Sequence, residues 1–594
     1  MDPGMAGLVL DSSRIDEQRM EHTPYGKPNL SYAHGTGGRP LWGCTVGEAL
    51  DNAASLHPDR PALISCHQRL RYTYREFLAE VELAARGFLQ RGVQKGDRVG
   101  VWATNHAEWV IAQFATAKIG AILVTINPAF RAAELEYALK QSECSTLVLM
   151  QGFRDCDYIE TLAGVCPEFA ASRAGDLHSL RLPYLRNVIF VGGPAPVPAM
   201  FAWDDLIEMG RSEPPEALWE REATLDFDEP INIQYTSGTT GFPKGAMLSH
   251  HNIVNNGLLV GASMKLTHQD RLAIPVPFYH CFGMVLGNLG CTTHGATMVI
   301  PAPGFDAGRT LAAVQAERCT GLYGVPTMFI SMLGHPDFAN FDLTSLRTGI
   351  MAGSVCPVEI MKRCVAEMNM TELAIAYGMT ETSPASCQTL IDDDLERRTA
   401  SIGRAHPHVE IKIVDPDTGD VVERGRPGEF CARGYSVMLG YWREEAKTRE
   451  VIDADEWMHS GDLAVMRDDS YCTIVGRRDD MVIRGGENIY PREIEEFLTT
   501  HPDIDEAQVV GVPDARYGEE ICAWIRMKPG RPALDAVAVR AFATGQVAHY
   551  KIPRYVHVVD EFPLTVTGKV RKVDMRDESA RLFGLKTPDR VEDT

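Results

Sequence analysis

A chain of 594 residues is too long for one compact core, and its length predicts about 3–5 folding units. With 45% hydrophobic and 23% charged residues it has a globular composition, neither disordered nor fibrous. Its 58 Lys and Arg against 80 Asp and Glu leave a net charge of −22, which argues against nucleic-acid or anionic-membrane binding, since both need a basic field.

The N-terminus carries Asp2, Asp11, Asp16, Glu17 and Glu21 and has no apolar h-region. It reads as neither transit peptide nor secretory signal, and residues 1–44 are expected to form a loosely ordered arm. Apolar residues at helical spacing predict helices over Arg75–Leu89 and Ala107–Lys118. Short apolar runs predict strands at Ala121–Ile126, Thr146–Met150, Val188–Val191, Leu272–Val276 and Thr297–Ile300. This alternation indicates an α/β lobe with parallel sheets. No internal repeat is evident. The best candidate for a membrane span, Trp109–Ile126, is interrupted by Gln113, Thr116, Lys118 and Thr125 and reads as a helix running into a strand.

From about Ile402 the texture changes to short strands, at Val409–Val414, Gly428–Cys431 and Tyr471–Val475, joined by Asp/Gly turns. A small β-rich, mainly antiparallel unit is expected there, completing a main domain of residues 45–478. The charged stretch Gly476-Arg-Arg-Asp-Asp480 marks the boundary to a small α+β domain, 479–594. Its predicted elements are a helix over Glu493–Thr500 and strands at Ala507–Val512, Cys522–Met527 and Tyr555–Val559. The 14 cysteines are scattered with no C-x-x-C, which points to reduced thiols in the cytoplasm or mitochondrial matrix and removes the usual zinc signal. His406-Pro407-His408 is expected to be an ordinary loop.

One string carries chemistry on its face: Thr236-Ser237-Gly238-Thr239-Thr240-Gly241-Phe242-Pro243-Lys244-Gly245. The glycines let backbone N–H groups approach a ligand, the hydroxyls add donors, and Lys244 supplies a positive charge for phosphate oxygens. A Walker A loop needs G-K-[ST], and here Pro243 precedes Lys244 while Gly245 follows it. By composition alone the string is as well read as a polar surface turn.

With its flanks, QYTSGTTGFPKGAMLSH, the string resembles the phosphate loop of the adenylate-forming superfamily, which includes acyl-CoA synthetases, luciferases and peptide-synthetase adenylation domains. Further matches follow in that superfamily's order. Phe278-Tyr-His-Cys-Phe-Gly283 is similar to the segment beside the acid substrate, and the resemblance places His280 near the carboxylate and the developing adenylate. Ala376-Tyr-Gly-Met-Thr-Glu-Thr382 resembles the segment in which Tyr377 stacks on adenine beside Gly378, Thr380 bonds phosphate and Glu381 offers Mg²⁺ a hard oxygen. Ala352-Gly353-Ser354 resembles the small-residue turn beneath adenine, although Ala352 stands where many relatives have glycine. His459-Ser-Gly-Asp462 and Gly476-Arg477 resemble the ribose clamp, in which Asp462 accepts from two sugar hydroxyls and Arg477 donates to the same sugar. Asp479 falls at the hinge. Arg484-Gly-Gly-Glu-Asn-Ile-Tyr-Pro491 resembles the loop whose glycines, Gly485 and Gly486, line the coenzyme A channel. In Pro563-Leu-Thr-Val-Thr-Gly-Lys569, Lys569 takes the catalytic position. Read singly, these residues are a packed histidine, solvated carboxylates, turns and a tail lysine.

The resemblance spans about Thr45 to Arg581. INPAFRAAELEYALK, YSVMLGYW and LSYAHGT narrow it to medium-chain acyl-CoA synthetases of animal mitochondria and their bacterial relatives. It implies ATP, Mg²⁺ and coenzyme A as cofactor and co-substrates, small-molecule partners, and catalysis by Lys569, His280, Glu381 and Thr380. Phe282, Met284, Tyr323 and Met379 are expected to line an apolar acyl pocket. Two half-reactions are expected, acyl-adenylate formation and then thioester formation, with the small domain rotating about its hinge between them. Other acid–CoA ligases and a luciferase-like adenylating enzyme share the motifs. A peptide-synthetase module would need a carrier domain after Lys569. An adenylate-sensing binding protein would be expected to lack Lys569, Glu381 or Asp462, and all three are present.

Overall fold

The structure, a computed structural model, describes residues 29–37, 39–236, 243–354, 356–484, 487–514, 516–564 and 570–585. Two large sheets make the main lobe. In the eight-stranded sheet the order is Phe201–Ala202, Asn187–Phe190, Cys144–Leu149, Arg98–Trp102, Ile122–Thr125, Pro230–Thr236, Lys244–Ser249, Gly440–Tyr441. The pairs through Pro230–Thr236 are parallel, and the last two strands add antiparallel. The nine-stranded sheet runs Arg404–Ala405, Ala385–Gln388, Glu372–Gly378, Thr348–Ala352, Gly321–Gly324, Arg271–Ala273, Thr297–Ile300, Pro61–Ser65, Leu70–Thr73. It is parallel at its centre and antiparallel at both edges.

The helix Ala107–Lys118 is buried along almost its whole length. A sequence apolar on nearly every face has to be enclosed by protein or lipid. Here it packs in a core shared with both sheets, and the chain turns from it into the strand Ile122–Thr125. Lys118, 1% exposed in its side chain, is neutralised by Asp51 at 2.8 Å and Glu222 at 2.5 Å. The helix Tyr74–Gln90 starts at Thr73, where a capping box with Glu76 satisfies its first amides. Among the described residues no helix is long and apolar enough to cross a membrane.

The small antiparallel sheet has the order Tyr32–His34, Val409–Val414, Pro427–Gly434, Met458–Met466, Cys472–Arg477. Its first strand corrects the expectation of a loose arm up to residue 44. Tyr32–His34 pairs with Val409–Val414 in the register Ala33 to Ile411, and Ala33 packs on that sheet's core. Three residues are too short a run to stand out in a sequence, and the pairing supplies what periodicity does not. His406 also departs from the ordinary-loop reading. It is 2% exposed, with Nε2 at 2.8 Å from Gln388 Oε1.

Past the short 3₁₀ turn Arg478–Asp480, the small domain pairs Gly518–Met527 with Ile504–Asp514 and with Tyr555–Val558. The helix Pro491–Thr499 covers one face, and the helix Lys572–Leu582 packs Met575 against the other.

Candidate active site

Thr236, Gly353, Tyr377 and Glu381 lie at or just past the carboxyl ends of parallel strands, where open α/β sheets leave a crevice for ligands. Pro230–Thr236 and Lys244–Ser249 form a hairpin with Tyr235 opposite Gly245 and Thr236 opposite Lys244. Seven residues therefore join its two ends, and Ser237, Gly238, Thr239, Thr240, Gly241 and Phe242 lie outside the described residues. Gly245 lies close against the strand opposite, since a Cβ there would sit 2.9 Å from Ile233 Cγ2. At the hairpin base, Thr236 Oγ1 donates to Glu381 Oε1 at 3.3 Å. Tyr441 Oη donates to the same oxygen at 2.8 Å, and Lys244 Nζ stands 4.9 Å from the Tyr441 ring centroid. Burial and the Glu381 carboxylate both push the Tyr441 phenol well above its ordinary range, so it stays a donor.

Glu381 reaches this point because its turn is held on three sides. Thr380–Thr382 is a 3₁₀ turn after the strand Glu372–Gly378. Asn256, on the helix His250–Ser263, donates to the Ala385 carbonyl at 2.9 Å and accepts from the Ala385 amide at 3.1 Å. Ser383 Oγ donates to the Ser436 carbonyl at 2.7 Å, and the Met438 amide donates to the Glu381 carbonyl at 2.9 Å. Gly378 is required by packing, because a Cβ there would lie 1.7 Å from the Pro384 carbonyl oxygen. Glu381 is 6% exposed. Its carboxylate with the Thr236 hydroxyl is a hard-oxygen set of the kind Mg²⁺ takes alongside phosphate and water.

A second cluster joins the nine-stranded and small sheets. Asp462 Oδ2 accepts from Tyr377 Oη at 2.7 Å, and Oδ1 accepts from Arg477 Nε at 2.9 Å. The Tyr377 ring meets Phe430 edge-on at 5.0 Å between centroids. Burial first, then the Asp462 carboxylate, raises the Tyr377 phenol far above its usual range. Tyr377, Gly378 and Met379 share a narrow recess with Phe430 and Ser460. Gly353 and Ser354 are exposed beside it, at the end of a strand in register with Ala376, and Gly353 has φ +91°, in the region that favours glycine. Ser460-Gly461-Asp462 is an interior bulge of the strand Met458–Met466, not the isolated turn that the string suggests when read singly.

His280 is half-buried, its ring 4.2 Å from that of Tyr279. It precedes a π-helix over Phe282–Leu289, an element that periodicity alone does not signal. Of the expected acyl-pocket residues, Phe282 and Met379 are half-buried, while Met284 and Tyr323 are 1% and 0% exposed. The Phe282 and Tyr323 rings lie 5.3 Å apart, Tyr323 Oη donates to Met264 Sδ at 3.1 Å, and Gln234 Nε2 donates to Met284 Sδ at 3.1 Å.

Pro243 closes the described side of the loop. Lys569, Gly485 and Gly486 lie outside the described residues, as does the Asp479 side chain. Their flanks are ordered by pairing: Arg484 faces Glu487, Leu564 bridges Val570, and the Arg571 amide donates to the Pro563 carbonyl at 2.8 Å. Sequence reasoning missed Tyr441. It stands in YSVMLGYW, but its role depends on Gly440–Tyr441 adding to the hairpin as an edge strand, with Ala246 opposite Tyr441.

Residues 50–442 match the AMP-binding enzyme family, and residues 493–569 match the AMP-binding enzyme C-terminal domain. The YngI protein of Bacillus subtilis (strain 168), whose name places it among acyl-CoA synthetases, is 48% identical over 91% of this chain and 98% of its own. The mitochondrial medium-chain acyl-CoA ligase ACSF2 of Homo sapiens is 43% identical over 97% of this chain and 93% of its own. Among solved structures, the anthranilate CoA ligase AuaEII in complex with anthranoyl-AMP superposes with a TM-score of 0.78 at 26% identity, covering 92% of this chain and 99% of that one. ATP-bound MatB from Rhodopseudomonas palustris gives 0.77 at 27% identity, covering 90% and 99%. Two family matches in the expected order, full-length relatives and a shared two-domain fold agree with the geometry of the strand ends: this chain belongs to the AMP-binding enzymes of the adenylate-forming superfamily.

Proposed function

We propose that this protein ligates a fatty acid, with medium-chain acids as the expected substrates, to coenzyme A through an acyl-adenylate, releasing AMP and pyrophosphate. The observation that carries the proposal is a pair of clusters joined by the short segment Tyr377–Glu381: Thr236, Lys244, Tyr441 and Glu381 in one, Tyr377, Asp462 and Arg477 in the other. They suit the two ends of a nucleoside triphosphate. The names of the relatives support the acid and thiol.

In the first half-reaction a carboxylate oxygen attacks the α-phosphorus of ATP, and the bond to the pyrophosphate oxygen breaks. Two anions must meet, so the barrier is largely electrostatic and catalysis consists of positioning and charge neutralisation. The 236–244 loop with Lys244 holds the β- and γ-phosphates. Asp462 and Arg477 hold the ribose, and His280 and Thr380 flank the reacting carboxylate and phosphate. Glu381 would hold Mg²⁺, which would supply positive charge against the phosphates, and Lys569 bridges the acyl carboxylate and α-phosphate. In the second half-reaction the coenzyme A sulfur attacks the acyl carbonyl and AMP leaves. Rotation of residues 479–594 about Asp479 exchanges Lys569 for the Gly485–Gly486 loop. The fourteen free cysteines support a reducing compartment, the cytoplasm or the mitochondrial matrix.

The deciding experiment incubates the protein with ATP, Mg²⁺, coenzyme A and acids of increasing chain length. Acid-dependent AMP and thioester, greatest at medium chain length, is the expected result. ATP binding without turnover would instead identify an adenylate sensor.

A further inference from the structure

The strand Met458–Met466 breaks its ladder where the ribose clamp sits. Glu429 faces Leu463 and Cys431 faces His459, so Ser460, Gly461 and Asp462 stand opposite Phe430 alone. A bulge of this kind unpairs backbone groups and re-aims side chains, and buried backbone groups left unpaired are costly. Here side chains take them up. Ser460 Oγ donates to the Phe430 carbonyl at 2.6 Å and accepts from the Asp462 amide at 3.1 Å. The Gly461 amide donates to Glu429 Oε1 at 3.0 Å, and Gly461 has φ +70°.

Glu429 is 6% exposed and uses both oxygens within the protein. Its Oε2 lies 3.0 Å from His459 Nδ1, while His459 Nε2 lies 3.5 Å from Asp453 Oδ2. Contacts with Cys431 and with Glu429 push the His459 imidazole up to about 10, so it is a cation at neutral pH. Burial raises Glu429, but His459 and the Gly461 amide outweigh it and hold the carboxyl below its ordinary range. The ligating atoms of Glu429, Cys431 and His459 lie within 4.8 Å of one another, a spacing that the Glu429–His459 and Cys431–His459 hydrogen bonds account for. The carboxylate's link toward the nucleotide is the Gly461 amide, one residue before Asp462.

We propose that Glu429 is a positioning residue for ribose recognition: by holding the Gly461 amide it fixes the bulge that aims Asp462 at the ribose hydroxyls, and so sets selectivity for ATP over its deoxy analogues. The inference rests on the reading of Asp462 as the ribose ligand.

The test measures acid-dependent AMP formation from ATP, 2′-deoxy-ATP and 3′-deoxy-ATP by the wild type and by Glu429→Ala, Glu429→Gln and Asp462→Ala, with a thermal melt of each. The wild type is expected to prefer ATP and Asp462→Ala to lose that preference. Glu429→Ala should raise the KM for ATP about tenfold, the scale of a hydrogen bond to a charged group, and leave the KM for the deoxy analogues nearly unchanged. Glu429→Gln retains a carbonyl for the Gly461 amide and should keep most of the preference. Equal losses on ATP and deoxy substrates in Glu429→Ala would overturn the inference, as would full retention of the preference in it. A folded Glu429→Gln that loses the preference as completely as Glu429→Ala would overturn the amide link. A wild type indifferent to the ribose hydroxyls would overturn the reading of Asp462 and the inference with it. Loss of preference in Asp462→Ala alone would overturn only the inference.

Discussion

Glu381 shows how a single carboxylate is made ready at a site. It is buried, yet Tyr441 and Thr236 donate to one of its oxygens, which lowers the cost of keeping a charge away from water. Glu381→Gln removes that charge and is expected to cut ATP–pyrophosphate exchange by about a hundredfold or more, a loss equivalent to ~2.7 kcal/mol of transition-state stabilisation. Tyr441→Phe removes only a donor, and the expected loss in the same assay is about tenfold, the scale of one hydrogen bond to a charged group. Equal effects of the two changes would mean that Tyr441 does more than orient Glu381. In the proposed mechanism Lys569 serves the first half-reaction alone. Lys569→Ala should slow adenylation by about a thousandfold, ~4 kcal/mol, while sparing thioester formation from supplied acyl-AMP. Separate assays of the two half-reactions check this, and equal losses in both would count against the assignment. The motif residues could be named in the sequence only through the resemblance of whole strings, since read singly they are a packed histidine, solvated carboxylates, turns and a tail lysine. Tyr441 and Glu429 do not show in the motifs, because each bonds a residue far along the chain, Glu381 or Gly461, that no local string contains.

At the scale of elements, two glycines near the nucleotide site make opposite demands. Gly378 is needed for space: an alanine Cβ would fall 1.7 Å from the Pro384 carbonyl oxygen, so the turn carrying Glu381 would have to move. Gly378→Ala is expected to destabilise the protein by about 3–5 kcal/mol. Gly461 is needed for conformation: its φ is +70° and no atom lies within 4 Å of its would-be Cβ. Gly461→Ala should cost only about 1–2 kcal/mol. Denaturant melts of the two variants check the difference. In the sequence Gly378 reads as part of the adenine segment and Gly461 as a turn glycine, and neither string tells space from conformation. Helix Ala107–Lys118 and strands Thr297–Ile300 and Val409–Val414 form over the residues their patterns predict. Tyr32–His34 and the π-helix Phe282–Leu289 do not follow from pattern, since one depends on a partner strand and the other on tertiary packing.

At the scale of the whole molecule, burial of neutral histidines makes folding sensitive to acid. Burial pulls His250 down to about 3, and its Nδ1 accepts the Val46 amide at 3.0 Å. Burial likewise pulls His406 down to about 4. The unfolded chain takes up protons at these rings near pH 6.5, while the folded chain resists them. The contribution of these two rings is therefore full above about pH 6.5 and falls as pH drops toward 4, by about 2 kcal/mol per histidine at pH 5. Urea midpoints measured from pH 7.5 to 4.5 should decline through that window, and His250→Asn should flatten the decline if the variant folds.

The sequence by itself determined the superfamily, the order of the motifs and the kind of chemistry, because phosphate, metal and sugar each demand particular atoms at particular spacings along the chain. It also determined most sheet and helix segments, because burial imposes their periodicity. Only the tertiary structure decided which distant segments meet. Tyr441 comes to Glu381 because its strand adds to the hairpin edge, with Met438 on the segment just before it, and Asp462 is aimed because a bulge opposite Phe430 is tied to Glu429. Those contacts depend on register and packing between elements, and no single stretch of sequence specifies either.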